Sequence, residues 1–323
     1  MLKKFVNHIA SATELNSDMA RSALGIVLNA ADRQGAQFAA LVFENIPGAR
    51  TLSATSGVDV GAATGIIARL IEQTPGGRSA VAFQMVRDLQ TVLQRAKYAP
   101  FPVVAAPFGL TLGGGCEVCL AVDRIVGHAE LYMGLVEIGV GLLPAGGGCL
   151  NLWRRYIQTI PASVSDVDLG RFFIPVFMTI AMAKVSTSAA DARANGFLGA
   201  RDRIVFNRDY LVGEAKKEVL KMVDEGYAPP VKRKIRIFGE SAQGMIAAEI
   251  YNMYKGGFIS DYDALLAKRI AFVISGGAAR ANSELDEEAI LALERRTFME
   301  LLRQEKTVAR IEHMLNTGKP LRN

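Results

Sequence analysis

Apolar positions recur at helical spacing from Ser17 to Ala31, where Met19, Ala23, Ile26, Val27 and Ala30 share one face and Ser17 or Asp18 stands at the cap. The period then changes. Ala39 to Phe43 is a short continuous apolar run ending at Glu44-Asn45, the pattern of a strand buried on both faces. The alternation returns downstream: a helical pattern over 79–96, a bounded apolar strand over Pro102–Pro107, a helix opened by Gly113-Gly114-Gly115 and running to Ala121, and a strand around Arg124–Val126. Helices alternating with short apolar strands predict parallel βαβ units in an α/β core over residues 1–205. After Tyr210 the strand pattern stops, and 212–223, 243–254, 261–274 and 287–302 all read as helices, with Gly256-Gly257 and Gly276-Gly277 at turns between them. A helical extension over 206–323 is therefore expected, while residues 1–15 are polar and irregular and show no clear element.

Composition agrees with a folded chain. Of 323 residues 50% are apolar and 21% charged. The net charge of +5 is too mild to mark a nucleic-acid binder. Three cysteines cannot staple a chain of this length, which favours a reducing, cytoplasmic setting. Met1-Leu2-Lys3-Lys4 is followed by no apolar run of the signal-peptide kind, and Phe172–Ala183, interrupted by Pro175, falls short of the ~18–20 residues that cross a bilayer. No membrane association is expected.

Candidate chemistry concentrates in two stretches. Pro102-Val-Val-Ala-Ala-Pro-Phe-Gly-Leu-Thr-Leu leads into Gly113-Gly-Gly-Cys-Glu117, and Tyr132-Met-Gly-Leu-Val leads into Glu137-Ile-Gly-Val-Gly-Leu-Leu-Pro-Ala-Gly-Gly-Gly148. Glycines between a strand and a helix let backbone approach a ligand, and the first N–H groups of the helix lack internal partners, so they can hold an anionic oxygen. Glu117 starts the helix and Glu137 lies in an apolar loop, a setting that raises carboxyl pKa values toward proton-transfer range. Oxyanion donors and two acids together suggest enolate chemistry.

These stretches resemble the two catalytic signatures of the crotonase superfamily (enoyl-CoA hydratase/isomerase), and the resemblance covers about residues 10–220. It implies a crotonase-like ββα spiral core followed by the helical C-terminal extension, an acyl-CoA thioester substrate, and an oxyanion hole made by the backbone N–H groups of Gly114 and Val58. The family usually carries a small residue where Val58 stands between Gly57 and Asp59. Glu117 is expected mainly as base and Glu137 mainly as acid in hydration of a 2-enoyl-CoA, in fatty-acid β-oxidation or a related path, with no metal or redox cofactor. Retention of both acids favours a hydratase over the isomerases of the fold, several of which retain only the second. A non-catalytic acyl-CoA-binding module is the alternative from a different class.

Segments 257–264, 271–277 and 318–323 resemble the tail of bacterial fusions that join a 3-hydroxyacyl-CoA dehydrogenase to an enoyl-CoA hydratase. The chain is similar to the hydratase half alone, which implies a separate dehydrogenase partner or a fragment of a fusion. The stretch 189–198 resembles the family's helix and turn before subunit contacts, implying a trimer or dimer of trimers.

Several other patterns have plainer explanations. Cys116-Glu-Val-Cys119 has redox or zinc spacing, but with Cys149 and only His8, His128 and His313 elsewhere it reads as small buried residues of a helix. Gly139-Val-Gly141 begins like a dinucleotide fingerprint, yet Pro144 replaces its third glycine. Lys232-Arg233-Lys234 with Arg236 reads as a solvated face rather than a phosphate site, and Trp153 as a packing residue.

Overall fold

A computed structural model of the chain describes residues 78–323 apart from 162 and 165. The expected helix over 17–31, the strand over 39–43 and Val58 lie outside the described residues. The described residues begin with α1 (Arg78–Lys97), followed by β1 (Val104–Ala105), β2 (Gly109–Leu112), α2 (Gly114–Leu120), β3 (Arg124–His128) and β4 (Leu131–Gly134). A 3-10 turn over Glu137–Val140, α3 (Gly148–Ile157), α4 (Gly170–Ala181), α5 (Ala189–Ala194) and β5 (Arg203–Val205) come next.

Two short β-α turns of chain stack in register. β1, β3 and β5 form one parallel sheet in that order, with Val104 opposite Arg124 and Val126 opposite Arg203. β2 and β4 form a second parallel pair, running from Gly109 opposite Leu131 to Leu112 opposite Gly134. Each strand-strand-helix turn is thus laid on the preceding one, the ββα spiral of a crotonase-like core. The register has a direct consequence for the site. Parallel strands that end together release their following segments side by side, and Gly113 N–H donates to Gly134 O at 2.9 Å where they do so.

The helical region continues with a 3-10 turn (Arg208–Tyr210), α6 (Leu211–Asp224), α7 (Glu240–Lys255), α8 (Asp261–Ile274), α9 (Glu287–Leu302) and α10 (Glu305–Thr317). Strands do not vanish after Tyr210 as expected: β6 (Ile235–Arg236) and β7 (Glu284–Leu285) pair antiparallel. Two-residue strands are too short to show a period of two, so the pattern had nothing to display. The described residues fall in a single compact unit, and packing is continuous across 205/206. Leu211 and Ala215 of α6 share a buried cluster with Val126 and Val205 of the sheet.

Farther on, Phe173 of α4 meets Trp153 of α3 edge-on at 6.0 Å and Phe238 at 5.6 Å, which ties the spiral to the segment before α7. Trp153 Nε1 donates to Arg236 O at 2.9 Å, so its polar atom is satisfied within that packing. Ser260 and Asp263 cap α8 reciprocally, a capping box that fixes where the helix starts. Among the described residues, no helix is long and apolar enough to cross a membrane.

Candidate active site

Gly113 ends β2 at φ 55°, ψ −126°, a conformation that a residue with a side chain rarely adopts, and it serves as the N-cap of α2. The space beside Gly114 is open, with nothing among the described residues within 4 Å of a Cβ added there. One turn into α2, Glu117 is buried. Its Oε1 accepts N–H bonds from Gly146 at 2.7 Å and Gly148 at 2.8 Å. The triple glycine after Pro144 is thereby explained, since a Cβ on Gly146 would stand 2.6 Å from Glu117 Oε2 and one on Gly148 2.8 Å from Oε1. Burial pushes the Glu117 carboxyl up to about 7, against the two N–H bonds that favour its charged form.

Glu137 opens the 3-10 turn that follows β4, where the register has placed it beside Gly113. A Cβ on Gly113 would lie 3.1 Å from Glu137 Oε1. Oε2 is buried and has no hydrogen-bond partner among the described residues, an arrangement costly enough that it needs a reason. Burial first, and then the Glu117 charge, raise the Glu137 carboxyl well above the ordinary carboxylate range. The structure brings Glu117, Glu137 and Gly114 into one neighbourhood.

The C-terminal helices close around this neighbourhood. Thr307 of α10 donates from Oγ1 to Gly141 O at 2.7 Å and shares a 2.6 Å bond with Tyr262 Oη. Arg310 Nη1 donates to Ile138 O at 3.3 Å, and its Nη2 lies 2.8 Å from Asp263 Oδ1. Both carbonyls belong to the turn that begins at Glu137, so α10 fixes the turn from behind. A third buried carboxylate, Glu294 of α9, accepts from Gly147 N–H at 2.8 Å and Leu150 N–H at 2.9 Å. Sequence reasoning missed Glu294. It stands on the same helix face as Ile290, Leu291 and Phe298, and a charge at an apolar period was the available signal.

The remaining sequence features sort as follows. Cys116, Cys119 and Cys149 are free and buried, and burial pushes the Cys119 thiol up to about 12, far from a reactive thiolate. Lys232, Arg233 and Lys234 are exposed, and Arg236 donates to Val164 O at 2.8 Å.

No family model matches the chain. It is 43% identical over 239 residues to a probable 3-hydroxyacyl-CoA dehydrogenase of Bacillus subtilis, an alignment covering 74% of this chain and 30% of that protein. A putative fatty acid oxidation complex trifunctional enzyme of Rickettsia felis is 27% identical over 69% of this chain and 27% of its own length. The chain therefore spans less than a third of these relatives. Among solved structures, an enoyl-CoA hydratase of Bacillus halodurans aligns at 17% identity and a TM-score of 0.45, over 76% of this chain and 72% of the other. By its sequence the chain is a relative of these larger bacterial proteins, and in the segments around Glu117 and Glu137 it resembles the crotonase superfamily.

Proposed function

We propose that the chain hydrates the double bond of a 2-enoyl-CoA thioester. The observation that carries this reading is the convergence of two carboxyl groups after the ends of neighbouring parallel strands, one gripped by N–H donors and the other with one buried oxygen that has no partner among the described residues. The two environments suit two tasks. Glu117, with N–H bonds that favour its charged form, is the base that takes a proton from water as the oxygen attacks Cβ. Glu137, held protonated by burial and by the Glu117 charge, is the acid that delivers a proton to Cα.

Negative charge on the thioester oxygen is taken by the N–H of Gly114, with Val58 N–H as the second donor that the resemblance implies. Removal of one such donor typically costs ~2.7–4 kcal/mol of barrier. The reaction so written uses no metal or redox cofactor, with CoA entering as part of the substrate. Fatty-acid β-oxidation, a cytoplasmic location, a trimeric or hexameric assembly and a 3-hydroxyacyl-CoA dehydrogenase as partner or fused neighbour complete the reading. It is supported by the names of the bacterial relatives and by the tail's resemblance to fusion proteins.

Absorbance at the enoyl-thioester band with crotonyl-CoA and a longer 2-enoyl-CoA tests the proposal. Loss of the band is expected, slowed by orders of magnitude in a folded Glu137→Gln variant. A folded sample that binds CoA and leaves both bands unchanged overturns it.

A further inference from the structure

Glu294 belongs to α9, in the helical region that follows the spiral, and its side chain is fully buried close to Glu117. Its Oε2 accepts from Gly147 N–H at 2.8 Å and from Gln90 Nε2 at 3.4 Å, and its Oε1 accepts from Leu150 N–H at 2.9 Å. Gly146 and Gly148, on either side of Gly147, donate instead to Glu117 Oε1. The turn into α3 is therefore divided between two carboxyl groups, with the left-handed Gly147 at φ 101° between the two N–H groups that hold Glu117.

Gln90 of α1 locks the same network. Its Nε2 also donates to Ala145 O at 2.6 Å, one residue before that turn, and its Oε1 accepts from Arg295 Nη1. A buried carboxyl costs more than an apolar residue would at this site on α9, and closing a helix N-terminus alone does not require one in the core.

We infer that Glu294 is a positioning residue for the hydration: by fixing the Gly146–Leu150 turn it keeps two N–H groups on Glu117 and so holds the base at a working acidity. The inference rests on the hydratase reading for the word base, but not for the grip on Glu117. Those N–H bonds pull the Glu117 pKa down, so loosening the turn raises it. Burial first, and then the Glu117 charge, raise the Glu294 carboxyl well above the ordinary carboxylate range, against the bonds from Leu150, Gly147 and Gln90. Of the other ionisable groups near the pair, Cys116, Glu137 and Cys149 are themselves raised by burial. Charged side chains of the surrounding helices pair as Lys97 and Arg154 with Glu287, Arg155 with Asp202, Arg295 with Glu288, Arg269 with Glu300, and Arg310 with Asp263.

The test compares the full chain with its Glu294→Ala and Glu294→Gln variants. Carbon-13 NMR of labelled glutamate carboxyls, with the Glu117 signal identified by its loss in Glu117→Gln, reads the titration without any need for turnover. Glu294→Ala is expected to titrate about one pH unit higher at Glu117. Its kcat for a 2-enoyl-CoA is expected to fall roughly tenfold or more, with KM changed less than about threefold. Glu294→Gln keeps one acceptor oxygen and is expected to fall between Glu294→Ala and the parent in both measures, and it carries the test alone if the alanine variant does not fold. A parental Glu117 titration in the folded variants overturns the inference, even where their melting temperatures drop. A parent chain with no turnover would overturn the hydratase reading instead, a result the titration separates from this one.

Discussion

Glu137 Oε1 lies 3.1 Å from the point where a Cβ on Gly113 would stand, so the first glycine of one signature shapes the seat of the acid of the other. The pair exists because β2 and β4 end together, Leu112 against Gly134.

Gly113→Ala should therefore act twice. The backbone at φ 55°, ψ −126° is strained for any residue with a Cβ, a cost of about 1–3 kcal/mol, and the added methyl would stand 3.1 Å from Glu137 Oε1, close enough to displace it. Thermal melts should show the destabilisation. Hydration of crotonyl-CoA should fall further than Gly115→Ala lowers it, since among the described residues a Cβ on Gly115 finds only Thr111 Cγ2, at 3.9 Å. Equal activity in the two variants would refute the steric coupling.

Stability should fall as pH rises across the range in which Glu117 titrates. Its carboxyl is raised from 4.5 to about 7 by burial, so between those values the folded chain retains a proton that the unfolded chain has released. The contribution is fully present below about pH 4.5 and is lost as pH rises through about 7, amounting to about 3 kcal/mol at most. Glu137 and Glu294 are raised in the same direction and add to the slope. Urea unfolding between pH 5 and pH 8 should show a shallower dependence for Glu117→Gln than for the parent, and parallel curves would contradict the assigned direction.

Thr307→Val keeps the shape of a fully buried residue while removing the donor to Gly141 O and the partner of Tyr262 Oη. Leaving those buried groups unpaired should cost about 1–3 kcal/mol. If α10 holds the Glu137 turn, kcat should drop with little change in KM, because Thr307 lies behind the turn. Tyr262→Phe removes only the hydroxyl partner and serves as the control. Loss of stability with unaltered kcat would reduce α10 to a packing role.

The sequence was legible where a residue type is demanded by its immediate neighbours. Gly146 and Gly148 have to be glycine because Glu117 fills the space of their side chains, and the glycine run in turn marked the segment that grips Glu117. Helices with a continuous apolar face, such as α8 and α9, were visible from spacing alone. What stayed hidden depends on partners far along the chain. Glu294 meets Gly147 across 147 positions, and although its place on the apolar face of α9 signals burial, nothing within α9 announces which N–H donors it meets. The same holds for α10, whose bond from Thr307 to Gly141 spans 166 positions. β6 and β7 were hidden for another reason, since two residues cannot carry a period.

These long-range bonds predict the behaviour of a shortened chain. Residues 1–205 contain Glu117 and Glu137, yet truncation there removes α6 from the sheet cluster, Glu294 from the glycine turn and Thr307 from behind Glu137. It also strips Lys97 and Arg154 of Glu287, leaving two largely buried cations without their carboxylate. Leu266, Ile270, Ile274, Ile290 and Leu291, all buried, are lost as well, and each such side chain contributes about 1.5–3 kcal/mol. Their sum rivals the ~5–15 kcal/mol by which a whole domain is stable, so the truncated chain should not hold its fold. Circular dichroism should show no cooperative melt for residues 1–205 under conditions where the full chain melts sharply. A sharp transition in the shortened chain, with turnover of crotonyl-CoA, would mean that the C-terminal helices are dispensable to the site.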